Sequence, residues 1–489
     1  MKKKLIIILC ISYGVIHAQT TFNLLYKIPE TYDTPGKIIE DNNNYLVLFT
    51  SNTIPQQKVS SHILTISTDG NIIDIVDFTS QDTSFLFGEI ITRQNGYILF
   101  GSYRTENELY SNMLIYYLNE NFEITDKKIL KIGDGYEFAS GFQAIQMQDG
   151  SYSILFSAYH TDRLLDICLY HISEYGDSLN YRQVEIPYSQ YCFGFLDRKD
   201  QPGFYVFSVG YYDLPVEWPV GKKLVFDQDF NLENIDSIPQ DLFGQYSTKW
   251  ISDTSYIISG GTNTPGEIRG IKIMENTVTN QVIKANSYGL DYDTLSKPAV
   301  NRSFDFQGTN EIYFSGMANL YPPEWPWQQD PSWVMINKVD SEFDIIWQKF
   351  IGGDSFYLVW DTQMSSDNCY LLACSKYDYE PGNYDHDLLI IKIDSNGLIT
   401  GIEDQPTPIE LHDAIVYPNP GSSYLKIQSG PQINGAVFEM FDMAGKAVAR
   451  EILNGRLMEI NTGRLPTGTY TYRILWQNRL VGSGKWVKR

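Results

Sequence analysis

A short apolar run that begins with a large side chain returns seven times along this chain of 489 residues. The intervals between successive starts are 52, 55, 52, 52, 56 and 58 residues. The runs begin at Tyr45, Tyr97, Tyr152, Phe204, Tyr256, Ile312 and Tyr370. Self-similarity at a fixed period of tens of residues is the signature of a solenoid, a propeller or a domain array, so the repeat limits the fold to these architectures.

Each repeat reads as a set of short strands joined by tight turns. Turn residues precede many runs, as in Asp149-Gly150, and close the next run, as in Asp394-Ser395-Asn396-Gly397. A fourth segment is clearest in Ile345–Phe350. Runs of this length bounded by Asn, Asp and Gly are strands, and such turns make hairpins. Since many runs are apolar at successive positions, we expect sheets that are buried on both faces.

An antiparallel sheet that is covered on both faces and repeated radially is a propeller blade. The repeat predicts an all-β fold with seven four-stranded blades, at about 30–80, 81–132, 133–188, 189–240, 241–295, 296–352 and 353–402. The segment Asn23–Ile28 resembles the fourth strand Ile345–Phe350, and we expect it to supply the outer strand of the last blade. A stacked array of sandwiches is the alternative, but it needs capping units and none is visible.

The N-terminus has the pattern of a secretory signal peptide. Met1-Lys2-Lys3-Lys4 is followed by an apolar run from Leu5 to Ile16 and by Ala18, which predicts a signal peptide over residues 1–18 and export through the Sec translocon. The run is too short to span a bilayer, so we expect no transmembrane anchor. Leu9 stands before Cys10 where a lipoprotein signal needs a small residue.

Charge and cysteine content exclude several classes of function. The net charge of -22 argues against nucleic-acid binding, because a phosphate backbone would be repelled. The four cysteines that follow the signal peptide, Cys168, Cys192, Cys369 and Cys374, lack metal-binding spacing, and we expect buried free thiols. No metal and no cofactor is expected. A mean hydropathy of -0.25 also excludes a multi-span membrane protein.

Composition changes near residue 403. The segment 403–413 is polar and contains prolines, as in a linker, and the domains predicted on either side are 19–402 and 414–489. Residues 410–489 hold ten Lys or Arg against six Asp or Glu, whereas residues 19–409 hold 24 against 53. This asymmetry supports two separate units.

The C-terminal unit carries an ordered set of motifs. Its prolines stiffen the start, Asp442–Lys446 reads as a hairpin turn, and Thr469–Ile474 alternates like a strand, which predicts a small Ig-like β-sandwich. By the residues alone, this could be an added binding module. The motif residues are Tyr417, Pro418, Asn419, Pro420, Gly445, Leu465, Pro466, Gly468, Tyr470, Lys485, Val487 and Lys488.

In that order and spacing, the motifs resemble the type A C-terminal sorting domain of the type IX secretion system of Bacteroidota. The resemblance implies an address read by the outer-membrane translocon and its sortase. It also implies that the domain is removed and that the cargo, after passing the periplasm, is released or attached to the cell surface. The motifs leave open which of these two fates applies.

Two loops between the second and third strands of their repeats share the pattern P-x-E-W-P, 107 residues apart. We expect these loops to form a ligand-binding face, because rigid aromatic rings beside carboxylates stack on sugars or anchor a protein partner. The alternative is that the loops fold back as lids on the blades. The candidate ligand-binding residues are Glu217, Trp218, Tyr321, Glu324, Trp325 and Trp327.

Sequence signals for catalysis are sparse. The chain has no G-x-S-x-G, H-E-x-x-H or Walker pattern, and no spacing selects a pair of carboxylates. No catalytic residue is therefore proposed from the sequence. The pattern favours a secreted or cell-surface propeller of binding or structural type over an enzyme. The alternative is a polysaccharide-acting enzyme with its site on the loop face or in the central channel.

Overall fold

The structure is a computed structural model, and its described part is all-β with no helix. The described residues are 20–53, 58–106, 111–133, 135–160, 163–184, 189–211, 220–238, 242–261, 271–277, 279, 281–289, 296–319, 332–377, 385–399, 415–428, 435–453, 457–476 and 479–489.

Seven antiparallel sheets follow one another along the chain as blades 1 to 7 of a propeller. Blades 1 to 3 contain β2 (Thr31–Asp41), β3 (Asn44–Thr53), β4 (Lys58–Ser67), β5 (Ile72–Phe78); β6 (Thr83–Arg93), β7 (Gly96–Thr105), β8 (Asn112–Leu118), β9 (Ile124–Leu130); and β10 (Tyr136–Gln146), β11 (Tyr152–His160), β12 (Arg163–Ile172), β13 (Ser178–Val184). Blades 4 and 5 contain β14 (Ser189–Asp197), β15 (Gly203–Tyr211), β16 (Val220–Asp227), β17 (Leu232–Ser237); and β18 (Phe243–Trp250), β19 (Ser255–Gly261), β20 (Ile271–Thr277), β21 (Val282–Tyr288).

Blades 6 and 7 depart from this simple order. In blade 6 two short strands share the innermost position, and in blade 7 the outermost strand comes from the start of the chain. Blade 6 contains β22 (Lys297–Pro298), β23 (Phe304–Gly308), β24 (Glu311–Ala318), β25 (Trp333–Val339) and β26 (Ile345–Gly352). Blade 7 contains β27 (Phe356–Met364), β28 (Tyr370–Tyr377), β29 (Asp387–Ile393) and β1 (Phe22–Tyr26).

The prediction that the first strand closes the ring is confirmed. β1 pairs antiparallel with β29, from Phe22 opposite Lys392 to Tyr26 opposite Leu388. Phe22 is buried, and its ring lies 6.2 Å from the ring of Tyr45 in blade 1. The pairing covers the outer edge of blade 7, which would otherwise be an unpaired strand edge.

Serine side chains form hydrogen bonds between neighbouring blades at several places in the propeller. A buried serine hydroxyl in the second or third strand, or directly before the third, bonds to the backbone of the following blade's innermost strand. These bonds satisfy polar groups that the close packing would otherwise bury without a partner. These bonds join Ser61 to Phe85 and Phe87, Ser102 to Ala139, Ser157 to Cys192, Ser332 to Tyr357, and Ser375 to Asp33. The last bond crosses from blade 7 to blade 1 and so reinforces the ring closure.

The apolar runs are buried on both faces, as predicted. Every residue of Tyr45–Phe49 is at most 2% exposed. Blade 1 and blade 7 share one core cluster that includes Tyr45 and Ile390, and the opposite face of blade 1 packs against blade 2 through Leu48 and Leu99. The sheet faces therefore form continuous cores between neighbouring blades.

The outer hairpins use one turn design. The carboxylate of Asp227 accepts hydrogen bonds from the backbone N–H groups of Asp229 and Asn231, and Phe230 has φ of 61°. Asp340 and Phe343 repeat this arrangement. The segment Asp227–Asn231 is therefore an ordinary hairpin turn.

The C-terminal unit is a small sandwich of two sheets. One sheet orders β30 (Ile415–Tyr417), β31 (Tyr424–Gln428) and β34 (Leu457–Asn461); the other orders β33 (Ala447–Ile452), β32 (Val437–Phe441), β35 (Gly468–Trp476) and β36 (Arg479–Lys488). Trp486 and Phe438 are fully buried between them. The predicted two-part fold, a propeller followed by a small β-sandwich, is confirmed. The four cysteines among the described residues, Cys168, Cys192, Cys369 and Cys374, are buried and free, also as predicted.

Candidate functional site

Innermost strands of the propeller change register near their middle. A β-bulge re-aims the side chains that follow it, and bulges are common beside functional sites. The shifts lie between Pro35 and Lys37, Phe87 and Glu89, Ser140 and Gln143, Cys192 and Gly194, and Val359 and Asp361. Residues at these bulges line the axis of the ring.

A central cavity of about 460 Å³ lies at this level. Every blade contributes to its wall, from Thr34 and Lys37 in blade 1 to Trp360 and Asp361 in blade 7. The volume is within the range of about 300–1,000 Å³ that is usual for small-molecule sites. The cavity is therefore large enough to hold a sugar residue or a group of similar size.

Two ion pairs from four blades meet on one side of the cavity. The Lys37 Nζ atom lies 2.9 Å from Oε1 of Glu89, and Nη2 of Arg302 lies 2.8 Å from Oδ2 of Asp361. Arg302 also donates to the Ile38 carbonyl oxygen at 2.9 Å, and the Ile38 N–H donates to Asp361 at 2.9 Å. Burial raises the pKa of Glu89, and the positive charge of Lys37 opposes that shift.

The cations are the accessible members of both pairs. The side chains of Lys37 and Arg302 are 24% and 28% exposed, whereas those of Glu89 and Asp361 are 6% and 1% exposed. Each carboxylate therefore lies behind its cation and holds it in place. Consequently, the charged surface that this side of the cavity offers comes mainly from the two cations.

The opposite side of the cavity is uncharged. It presents Tyr191, which is 42% exposed, together with the half-buried Phe193, Gln143 and Thr248. The Gln143 amide donates to the Phe193 carbonyl oxygen at 2.7 Å, which fixes the amide. Aromatic rings beside amide and hydroxyl groups suit a hydroxylated ring better than a purely apolar ligand.

The predicted binding residues Glu217, Trp218, Tyr321, Glu324, Trp325 and Trp327 lie outside the described residues. The strand before the first of these loops is described. Tyr211 ends β15 and pairs with Ser189, two residues before Tyr191. The binding role of these six residues remains a prediction.

A serine, a histidine and an aspartate form a hydrogen-bonded series across blade 1. Oγ of Ser51 lies 2.7 Å from Nε2 of His62, whose Nδ1 lies 2.7 Å from Oδ1 of Asp77. The His62 ring stacks on Phe49 at a centroid distance of 4.8 Å. Burial lowers the pKa of His62, and Asp77 opposes the shift. Since Ser51 is only 4% exposed, the series satisfies a buried histidine and does not offer a nucleophile to substrate.

A second buried histidine lies where blade 7 meets blade 1. His386 is 1% exposed and lies between the rings of Tyr32 and Tyr377, at centroid distances of 4.0 and 4.9 Å. Its ring nitrogens have no hydrogen-bond partner among the described residues, and burial lowers its pKa to about 3. The backbone N–H of Asp33 donates to the His386 carbonyl oxygen at 2.9 Å. Both residues therefore belong to the contact between blade 7 and blade 1, which we call the closing seam.

The motif at the start of the sorting unit holds the end of the chain. The Asn419 amide donates to the Lys485 carbonyl oxygen at 2.7 Å and accepts from the Val487 N–H at 2.8 Å. The Trp486 indole N–H donates to the Pro418 carbonyl oxygen at 2.7 Å. Asn419 therefore acts as a clamp between the first and last segments of the sandwich. The Tyr417–Pro418 and Asn419–Pro420 peptide bonds are cis.

The other motif residues form turns and strand ends. Gly445 has φ of 79° and closes the turn from Asp442, a conformation that favours glycine. The hydroxyl of Tyr470 donates to the Pro466 carbonyl oxygen at 2.7 Å, so the Leu465–Pro466 segment is fixed to the strand that follows it. Lys485 is exposed, whereas Lys488 is buried.

A family model for the secretion system C-terminal sorting domain matches residues 415–489. Residues 415–489 are a C-terminal sorting domain. The match supports the resemblance to type IX sorting domains that the motifs indicated. Such a domain implies interaction with the type IX secretion machinery and places the protein at the cell surface or outside the cell.

Solved structures that are similar to this chain have low identity, and the name of one of them describes a β-propeller domain. The β-propeller domain of the Trilobed protease from Pyrococcus furiosus is 9% identical, with a TM-score of 0.41 over 72% of this chain and 94% of that chain. A puromycin hydrolase mutant is 8% identical, with a TM-score of 0.47 over 90% and 58%. The endosialidase of phage phi92 is 9% identical, with a TM-score of 0.40 over 96% and 88%. No curated protein matches the chain.

Two further observations concern metals and membranes. Within the described ranges, no group of three or more His, Cys, Asp or Glu residues is placed to hold a metal ion. The same part of the chain contains no helix that is long and apolar enough to cross a bilayer.

Proposed function

We propose that this protein is a secreted or surface-bound β-propeller that binds a ligand outside the cell. In this proposal the segment 1–18 directs it through the Sec translocon to the periplasm, and residues 414–489 then direct it through the outer-membrane translocon. A sortase removes the sorting domain at the linker 403–413. The family match over residues 415–489 is the observation that carries the export route.

The central cavity supports binding as the role of the propeller. Its cavity has donors on one side, aromatic and amide groups on the other, and wall residues from all seven blades. Glu89 and Asp361 are each paired with a cation, whereas a general acid or base of a glycosidase must exchange protons with its substrate. We therefore favour a binding or structural propeller over the polysaccharide-acting enzyme.

Deletion of residues 415–489 tests the export route. The truncated protein should accumulate in the periplasm, and the full chain should reach the cell surface or the medium in a shortened form. A full-length Met443→Ala variant is the matched control, because Met443 is 73% exposed in the same domain and its loss should leave export unchanged. Cell fractionation and intact-mass measurement read both outcomes. Normal arrival of the truncated protein outside the cell would refute the route.

Purified protein recovered from outside the cell tests the choice between binding and catalysis. Incubation with a panel of polysaccharides should give retention without release of shorter chains. Reducing-end assays and chromatography of the products read the result. Catalytic turnover of any member of the panel would favour the enzyme.

A further inference from the structure

We propose that the central cavity binds an acidic sugar, that is, a hydroxylated ring that carries a carboxylate. The inference rests on the proposed binding function and specifies its ligand. It follows from which members of the two ion pairs are accessible, from the donors that remain on them, and from the uncharged wall opposite.

The first step concerns charge. A ligand that enters the cavity meets Lys37 and Arg302 before it meets the carboxylates behind them, because the cations are about a quarter exposed and the carboxylates are nearly buried. An anionic group can therefore approach both cations, whereas a cationic group would meet repulsion first. The buried carboxylates keep the cations oriented, which reduces the entropy lost when a ligand binds.

The second step concerns the donors. Among the described residues, the hydrogen bonds of the Arg302 guanidinium use Nη2, which donates to Ile38 and Asp361. Within that part of the chain Nη1 has no partner, and we assign it to the ligand. Lys37 has three N–H donors, and among the described residues it donates to Glu89. A carboxylate, which is smaller than a phosphate or a sulfate, accepts strong charge-assisted hydrogen bonds from two such donors.

The third step concerns the remainder of the ligand. Tyr191 and Phe193 present aromatic surface, and Gln143 and Thr248 present amide and hydroxyl groups to the same cavity. A simple carboxylate such as acetate would leave this wall unused. A sugar ring uses both kinds of surface, since its C–H face stacks on aromatic rings and its hydroxyls pair with amides and hydroxyls. The combination specifies a uronic acid or another sugar acid.

Binding of monosaccharides to the purified protein tests the inference. The probes are glucuronate and galacturonate, their neutral counterparts glucose and galactose, and acetate. Calorimetry or saturation-transfer NMR should detect at least one of the two uronates, with the neutral sugars and acetate about tenfold or more weaker. Equal binding of the neutral counterpart would overturn the role of the carboxylate, and equal binding of acetate would overturn the role of the ring.

Two variants locate the site. The pair Lys37→Met and Glu89→Gln removes one cation without leaving its carboxylate unpaired, and it should weaken uronate binding about tenfold. Ser140→Phe fills the cavity from a half-buried position and should abolish binding, while the control Ile73→Phe, at an exposed position of the outer strand of blade 1, should bind normally. Thermal melts confirm that each variant is folded. Undiminished uronate binding by a folded Ser140→Phe protein would overturn the channel site.

A separate measurement distinguishes this inference from the proposed function. The triple variant Trp218→Ala, Trp325→Ala and Trp327→Ala removes three aromatic rings of the predicted binding loops and changes no described residue of the cavity wall, so it should still bind the uronate. If neither uronate binds although the full chain retains polysaccharides or cell surfaces, the acidic-sugar inference fails and the binding function stands. If the full chain binds no carbohydrate, surface or protein, both fail.

Discussion

Removal of one buried aromatic side chain from β1 should destabilise the whole propeller, because β1 joins the last blade to the start of the chain. Phe22 is 6% exposed and packs on Tyr45, and its strand supplies five residue pairs to β29. Phe-to-Ala changes at buried sites typically lower the free energy of unfolding by about 3–5 kcal/mol. Phe22→Ala should therefore lower the propeller's free energy of unfolding by about 3 kcal/mol or more.

The expected shift in melting temperature follows from the size of the domain. At about 2.1 cal/mol/K per residue, a body that spans residues 20–399 has an unfolding entropy of roughly 0.8 kcal/mol/K. A loss of about 3–5 kcal/mol then lowers the Tm by roughly 4–6 °C. Differential scanning calorimetry of the folded protein at pH 7 measures this shift directly.

Leu25 on the same strand is the matched control. Its side chain is 37% exposed, and Leu25→Ala should change the free energy of unfolding by less than about 1 kcal/mol. The comparison separates loss of the packed face from a general effect of altering the N-terminal strand. If Phe22→Ala melts like Leu25→Ala, or if removal of residues 20–28 leaves the Tm unchanged, the strand does not hold the ring closed.

Two further predictions concern the sorting domain and the closing seam. Asn419→Ala removes two hydrogen bonds to the last strand, which should lower the domain's free energy of unfolding by about 1–3 kcal/mol and speed amide exchange at Val487. Unchanged amide exchange at Val487 would show that Asn419 does not hold the last strand in place. At the seam, acidification from pH 7 to pH 5 should raise the free energy of unfolding of His386→Phe relative to the wild type by up to about 2 kcal/mol. The same acidification should lower the free energy of unfolding of Asp33→Asn relative to the wild type. Urea unfolding at both pH values measures each difference.

The sequence contained enough information to predict the ring but not its charged centre. Runs such as Tyr45–Phe49 are local, so their burial and pairing could be inferred from neighbouring residues. The closing strand could be inferred because Asn23–Ile28 resembles Ile345–Phe350. The sorting domain was recognisable because its turns carry glycine and proline at positions that the backbone requires.

The cavity residues were missed because their meeting depends on distant chain segments. Lys37 and Glu89 are 52 residues apart, and Arg302 reaches the Ile38 carbonyl oxygen from 264 residues away. A weak signal was present, since Gly36 and Gly88 each precede a charged residue in the first strand of a repeat. The bulges that turn these charged side chains toward the central cavity cannot be recognised from the sequence, so the pattern alone did not identify the site.

The pH dependence of the closing seam follows from two groups whose effects oppose each other. Burial lowers the pKa of His386 to about 3, so its contribution is full above about pH 6.5 and is lost as the pH falls toward 3. Burial raises the pKa of Asp33 to about 7, reinforced by Asp387 and Asp385, so its contribution is full below about pH 4 and is lost as the pH rises toward 7. Between about pH 4 and 6.5 the two slopes, each about 1.4 kcal/mol per pH unit, nearly cancel. The ring closure is thus insensitive to moderate acid because both groups are present, and either substitution alone should expose the slope of the other.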